Sequence, residues 1–305
     1  MAAAGIVLAA ALGVDRAIGD PQSRLHPVAL LGRFIGWWGD PGRWDPRIQR
    51  AAGLVCGIGT ACLFSLPFLL VDRFAPLLGF LIVGPFLLKV TFAWRALEEH
   101  ARAVELAVRD DLDAGRMTAG WMVSRETKAL SKEETLSAAY ESLSENLVDS
   151  ITAPLLFFAF FSIFGLGLAA AAFYRASNTM DAMLGYRDER GRIGWFPARM
   201  DDVLTWIPAR VTGLVLLGYF GAIGRLGPAL TGLRKDARKR PGPNGGIPMA
   251  IMAGGTGVRF EKPGVYTMGP GEKSLAEGGR EIIRALRAVT LILAAILVTA
   301  LLLWV

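Results

Sequence analysis

Cysteine, histidine and charge are all scarce in this chain. Cys56 and Cys62 are the only cysteines in 305 residues, both inside one apolar block. That placement offers neither a disulfide framework nor the CxxC spacing of a metal or redox site, and the two read as buried, inert thiols. His26 and His100 are the only histidines and stand far apart, which argues against a zinc centre. His100 reads as a solvated side chain among helical charges, whereas His26, in the turn-rich GDPQSRLHPV beside Asp20, is a candidate site residue. There is no GxxxxGK[ST] and no strand-linked GxGxxG, so no nucleotide-binding fold follows from motif alone. No internal repeat or low-complexity linker marks a boundary, and residues 1–305 are expected to form a single membrane-embedded catalytic domain.

What the chain has is apolar length. Hydrophobic residues make up 53% and charged residues 20%, and the apolar ones are gathered into blocks. Ala51–Val71, Phe74–Trp94, Ile151–Tyr174, roughly Ile207–Ile223, and Ala288–Val305 each approach the ~20 residues that cross a hydrocarbon core. Met1–Val14 is a weaker block. It lacks a basic n-region and a small-residue cleavage site, so it is expected to be retained as an anchor. The fold class expected is all-α, a polytopic helical bundle in a lipid bilayer with cytoplasmic helical and loop segments. Only Asp72 and Arg73 separate two of the blocks, which predicts a tight helical hairpin with both long flanks on the cytoplasmic side. Lys89, at a block's end, reads as snorkelling to the interface.

Charge is unevenly placed. Arg95–Ser150 carries seven basic and twelve acidic residues, whereas Arg225–Arg287 carries twelve basic and five acidic. The basic lobe, with Arg234, Lys235, Arg238, Lys239 and Arg240, fits the positive-inside rule and could also attract a phosphorylated or polycarboxylate substrate. It has no interleaved aromatics, and nucleic acid is not an expected partner.

The strongest local signal is acidic. Glu141, Glu145 and Asp149 recur every four residues directly before the block from Ile151, which on a helix makes one stripe. Carboxylates are costly at a bilayer boundary, so the stripe reads as part of a polar catalytic pocket. Ser131 with Glu134 starts this helix with a capping box, and the preceding helix is expected to break at Gly115. Beyond the block come Asn178 and Asp181 on one helical face, then Asp201 and Asp202. Gly165 and Gly167 permit either a re-entrant helix pair at 151–174 or one continuous crossing. Arg238–Tyr266, dense in Gly and Pro, is expected to be loop with short helices; Pro243–Gly246 reads equally as an anion cradle or a plain loop. Many carboxylates with Asn and Arg, and almost no nucleophile candidates, suit Mg²⁺ and phosphate-dependent chemistry.

These residues sit in GDPxxxxHPV (Gly19 to Val28), SRETKxL (Ser124 to Leu130), ESLSENLVDSITAP (Glu141 to Pro154), YRASNTMDAMLGY (Tyr174 to Tyr186), ARMDDVLTWIPAR (Ala198 to Arg210) and PNGGIPMAIMAG (Pro243 to Gly254). In order and over almost the whole chain, the series resembles the CobD/CbiB family, the adenosylcobinamide-phosphate synthases of cobalamin biosynthesis. The resemblance implies an inner-membrane, multi-pass ligase with a cytoplasm-facing site. Such a ligase joins the propionate of adenosylcobyric acid to aminopropanol or aminopropanol phosphate with consumption of ATP. A carboxylate needs activation before an amine attacks it, so MgATP is expected to form an acyl phosphate that the amine displaces.

On that reading Glu141, Glu145, Asp149 and Asp181 are the candidate catalytic residues, and Asp181, Asp201 and Asp202 the candidate Mg²⁺ ligands. His26, Arg125, Lys128, Asn146, Asn178, Arg199, Arg210 and Asn244 are the candidate substrate contacts, the cations for phosphate and propionate. One departure is Gly242, where the family commonly has Ser before Pro-Asn; a hydroxyl contact there is lost or unnecessary. Two other classes stand beside the ligase: a non-catalytic sensor or corrinoid-binding protein like the related AmpE proteins, and a transporter. Phosphorylation of the amine, homo-oligomerisation and hand-over from other cobalamin-pathway enzymes stay open.

Overall fold

A computed structural model describes residues 1–20, 25–123, 125–186 and 188–304, so Pro21–Arg24 of the first motif and Ser124 of the second lie outside the described residues. The chain opens with α1 (Ala2–Ile18) and α2 (Pro27–Trp38). His26 caps α2, its Nδ1 accepting the Val28 N–H at 3.3 Å, and Pro27 takes the first helical position. α3 (Gln49–Phe74) and α4 (Leu77–Thr91) follow, then α5 (Trp94–Asp110) and α6 (Leu112–Gly120). α7 (Lys132–Leu147) starts from the expected capping box, with Ser131 N–H donating to Glu134 Oε2 at 2.6 Å and Glu134 N–H to Ser131 Oγ at 3.3 Å. A π turn at Val148–Thr152 leads to α8 (Ala153–Ser162), then α9 (Gly167–Leu184), α10 (Trp195–Leu204), α11 (Trp206–Ala222), α12 (Leu226–Asp236) and α13 (Gly246–Thr256). A hairpin of β1 (Phe260–Lys262) and β2 (Tyr266–Met268), with Phe260 opposite Met268, precedes α14 (Leu275–Leu303).

Gln49–Phe74, Leu77–Asp110 and Leu275–Leu303 are long and apolar enough to cross a membrane; α10 and α11, bent by 42° at the break between them, form either one broken span, which would be a fourth, or a re-entrant pair. Their exposed faces are apolar, as at Leu63, Leu66 and Leu70 on α3, which suits lipid as the solvent. The protein is an all-α membrane protein. Two compact units are built from interleaved segments. One comprises Met1–Ala93, Ala153–Thr205 and Ala294–Val305; the other comprises Trp94–Thr152 and Trp206–Leu293. The first has a core in which Leu31, Ile35 and Trp38 of α2 meet Ala61 of α3 and Ala176, Met180 and Leu184 of α9.

Several expectations are sharpened or corrected. The block from Ile151 does break, at Ile163–Leu166, where Gly165 takes φ +66°. α8 and α9 then pack as a helical hairpin, with Phe157 and Tyr174 ring centroids 5.1 Å apart. Asp72 of α3 caps α9, accepting the Leu168 and Ala169 N–H groups at 3.3 and 2.9 Å. The turn between α3 and α4 is tight, but α3 packs chiefly on α9 and α4 on α1. The break expected at Gly115 falls at Asp111, whose side chain accepts from Asp113 N–H at 3.0 Å and so starts α6; Gly115 lies inside that helix against Val108. The Gly/Pro-rich segment contains a strand pair as well as α13. Cys62 is exposed on α3 and Cys56 half-buried, so burial does not describe Cys62.

Candidate functional site

The second unit gathers its polar chemistry on α7. Glu141 is almost fully buried and accepts three bonds, from Arg125 Nη2, Ser137 Oγ and Tyr266 OH, each at 2.5 Å. Both arms of this arrangement reach the hairpin. Arg125 Nη1 donates to the Glu261 carbonyl at 3.2 Å, and the Glu261 N–H donates to Ser137 Oγ at 2.6 Å. A carboxylate with three donors, one of them a guanidinium, is fully satisfied where burial would otherwise penalise it. Burial and the Glu141 carboxylate push the Tyr266 phenol well above its usual range, so it stays a donor.

One turn further on, Glu145 pairs with Arg240 Nη2 and keeps more solvent exposure than Glu141. The Pro-Asn-Gly-Gly loop rests against this pair. A Cβ on Gly245 would stand 3.0 Å from Glu145 Oε1 and 2.9 Å from Arg240 Cζ. Lys262 on β1 is part of the same arrangement: burial, with Arg125 and Arg240 beside it, holds its ammonium below the usual lysine range against the pull of Glu141 and Glu145. Asp149 falls in the π turn, which changes the register at which α-helical spacing would stack it on Glu145. Asn146 bonds within its own helix, donating to the Ser142 carbonyl at 2.9 Å and accepting from Ser150 Oγ at 2.9 Å. Lys128 is exposed.

Arg210 and Asn244 meet directly. Arg210 Nη1 donates to Asn244 Oδ1 at 2.8 Å, Nη2 to the Pro243 carbonyl at 3.2 Å, and the guanidinium stacks 4.2 Å from the Trp206 ring. Arg210 also lines a cavity of about 590 Å³ together with Arg234, Arg238 and Gly242. Gly242 has φ +99°, in the left-handed region that favours glycine.

In the first unit, Asp201 is buried, and its carboxylate faces Asn178 Nδ2 at 3.5 Å and Thr205 Oγ1 at 3.4 Å. Thr205 is in turn 3.1 Å from the Tyr174 hydroxyl. Asp181 and Asp202 lie within electrostatic reach of Asp201. Gly185 gives Asp181 its room, since a Cβ there would stand 2.2 Å from Asp181 Oδ1. Arg199 is largely exposed and 3.6 Å from Asp202. Among the described residues no three of His, Cys, Asp and Glu are arranged to hold a metal ion.

The residues missed from sequence are polar partners. Lys89 is buried, with its Nζ 3.1 Å from Asp15 Oδ1 and 2.5 Å from Asp20 Oδ1, in place of snorkelling. His26 Nε2 stands 3.8 Å from the same Asp20 oxygen. Burial first, then Lys89 and Arg175, hold its imidazole below 6.5 against the opposing pull of Asp20. Ser137 could have been found by extending the four-residue period one turn back from Glu141. Arg240, Lys262 and Tyr266 had no comparable signal.

An all-α integral membrane protein, with one buried carboxylate held by arginine, tyrosine and serine and a second, arginine-paired carboxylate against a glycine-rich loop, is the class that fold and site define. A family model described as CobD/Cbib protein matches residues 8–300, and the chain belongs to the CobD/CbiB family. It is 40% identical to the probable cobalamin biosynthesis protein CobD of Methanothermobacter thermautotrophicus over 86% of each chain. The proteins of the same name from Thermococcus kodakarensis and Pyrococcus abyssi are also 40% identical, over 91% and 95% of this chain and 88% and 92% of theirs. No solved structure matches it.

Proposed function

We propose that this protein is a cobalamin-biosynthesis ligase of the inner membrane, with its site on the cytoplasmic face. It joins the propionate carboxylate of adenosylcobyric acid to aminopropanol or its phosphate as an amide, with ATP as the energy source. The observation that carries the reading is the pairing of a fixed, triply bonded Glu141 with the more accessible Glu145 among Arg125, Arg240 and Lys262. Membership of the CobD/CbiB family supports the pathway.

The arginines and Lys262 suit a reaction in which anionic groups must approach one another: they bind and orient propionate and phosphate oxygens. Glu145, with one partner and partial exposure, is the group assigned to take the proton from the incoming ammonium, which must become an amine before it attacks. Glu141 is a positioning residue that fixes Arg125 and Tyr266. Arg210, which lines the cavity with Arg234 and Arg238 and donates to Asn244, is assigned with Asn244 to a phosphate-bearing substrate. Asp181, Asp201 and Asp202 are assigned to Mg²⁺, which supplies charge neutralisation of ATP phosphates when bound. Asn178 holds Asp201 in place.

The test is incubation of detergent-purified protein with adenosylcobyric acid, aminopropanol phosphate and MgATP, with each component omitted in turn and with free aminopropanol in parallel. Mass spectrometry should detect the amide only in complete mixtures. Corrinoid binding without amide formation in any mixture would remove the ligase assignment.

A further inference from the structure

The first turns of α14 carry Arg280, Arg284 and Arg287 at i, i+4 and i+7, which places them on one helical face. Leu291, four residues on, continues that face, and both it and the adjacent Ile292 are exposed. Across a groove of about 350 Å³ stands Arg102 of α5. Four arginines thus meet one lining carboxylate, Glu105, and that carboxylate accepts the Tyr140 hydroxyl at 2.9 Å. Arg287 is held by Glu98 through bonds of 2.6 to 3.0 Å. Among the described residues Arg102, Arg280 and Arg284 make no ion pair. Arg280 and Arg284 are like charges at i, i+4 and repel, a repulsion that an anion in the groove would offset.

Position identifies the anion. Beyond Arg287 the helix becomes the apolar part of a membrane-spanning segment, so the groove lies at the water boundary of the hydrocarbon core, where phosphodiester headgroups are concentrated. We propose that this groove binds the phosphate of an anionic phospholipid, with Arg102, Arg280 and Arg284 on the headgroup and an acyl chain along Leu291 and Ile292. Orientation by the positive-inside rule needs basic residues but no groove between two helices. A soluble phosphate ester shares the headgroup chemistry, but it would leave the continuous apolar stripe uncovered.

The full chain is purified in mild detergent and titrated with phosphatidylglycerol or phosphatidylcholine of identical acyl chains, and bound lipid is counted by native mass spectrometry. Wild type should prefer phosphatidylglycerol. Arg280→Ser with Arg284→Ser should lower that preference about 25-fold and Arg284→Gln alone about fivefold, from the contribution of each basic residue near an anionic surface. Arg43→Ser with Arg47→Ser, which removes the same charge from exposed positions elsewhere, should leave it unchanged. An equal preference in wild type and the Arg280/Arg284 variant would overturn the site. Displacement of the lipid by equimolar glycerol phosphate would overturn the lipid as its occupant.

Discussion

Glu141→Gln and Glu145→Gln remove the same charge one helical turn apart, yet the structure assigns them different consequences. The Glu141 and Arg125 side chains are 3% and 12% exposed, whereas Glu145 and Arg240 are 28% and 25% exposed. An amide at 141 keeps an acceptor for Tyr266 or Ser137 but leaves the buried Arg125 guanidinium without its counter-charge. Breaking a buried pair from one side costs about 3 kcal/mol. At about 2–3 °C per kcal/mol for a protein of this size, Tm should fall by about 6–9 °C. For the more solvated pair the loss is at most about 1 kcal/mol, or about 2 °C. The assay is the fraction of monodisperse protein left after heating in detergent, read by fluorescence-detected gel filtration, beside the amide-forming assay. Glu145→Gln should stay folded and lose ligation. A Glu141→Gln protein with unchanged Tm, or a Glu145→Gln protein equally destabilised, would refute the division between a positioning and a proton-accepting carboxylate.

Three further outcomes are expected. Gly245→Ala has an ordinary φ of −61° and should change stability by less than about 1 kcal/mol; because its Cβ presses on the Glu145–Arg240 pair, amide formation should fall at least about tenfold, and full activity would separate that pair from the reaction. Asp181→Asn should abolish ligation while the protein still inserts, and Gly185→Ala, whose Cβ would displace the Asp181 carboxylate, should reproduce the loss; full activity in both would remove Asp181 from the mechanism. The depressed His26 pKa gives a pH signature: on acidification the unfolded chain takes up the proton first, so the stability His26 contributes is present above pH 6.5 and lost as pH falls from there toward the folded-state value. Thermal unfolding of wild type and His26→Asn between pH 5 and 8 should show the wild-type advantage shrinking below pH 6.5, and a constant difference would contradict the assigned burial.

What was legible in the sequence is what short-range periodicity and length encode. Apolar runs marked the long helices α3, α4 and α14, and Ser131 and Glu134 placed the start of α7; for the block from Ile151 the paired glycines left a reversal and a single crossing equally open, and the chain breaks there into α8 and α9. The stripe placed Glu141 and Glu145 on a helix, but nothing local distinguishes a carboxylate enclosed by three donors from one with a single partner. That difference comes from Arg125 and Tyr266, which lie 16 and 125 residues from Glu141 in sequence. The same limit governs Lys89. A lysine at the end of an apolar block snorkels when water is its nearest polar solvent; here Asp15 and Asp20 are nearer, and the second of them is 69 residues away. The β1–β2 hairpin was hidden for a different reason. Its strands are three residues each and flank Pro263–Gly264, so their alternation is too brief to rise above a Gly/Pro background, yet the hairpin brings Lys262 and Tyr266 toward the acidic stripe. Asp15, Lys89, Glu98 and Glu141 are buried charges whose ionic partners lie far away in sequence, whereas buried Asp201 meets Asn178 and Thr205 and faces the Asp181 and Asp202 carboxylates. A search for such pairs in a membrane protein should therefore begin with the buried carboxylates and look outward for their cations, because an unmatched charge at those positions would cost more than the fold can spare.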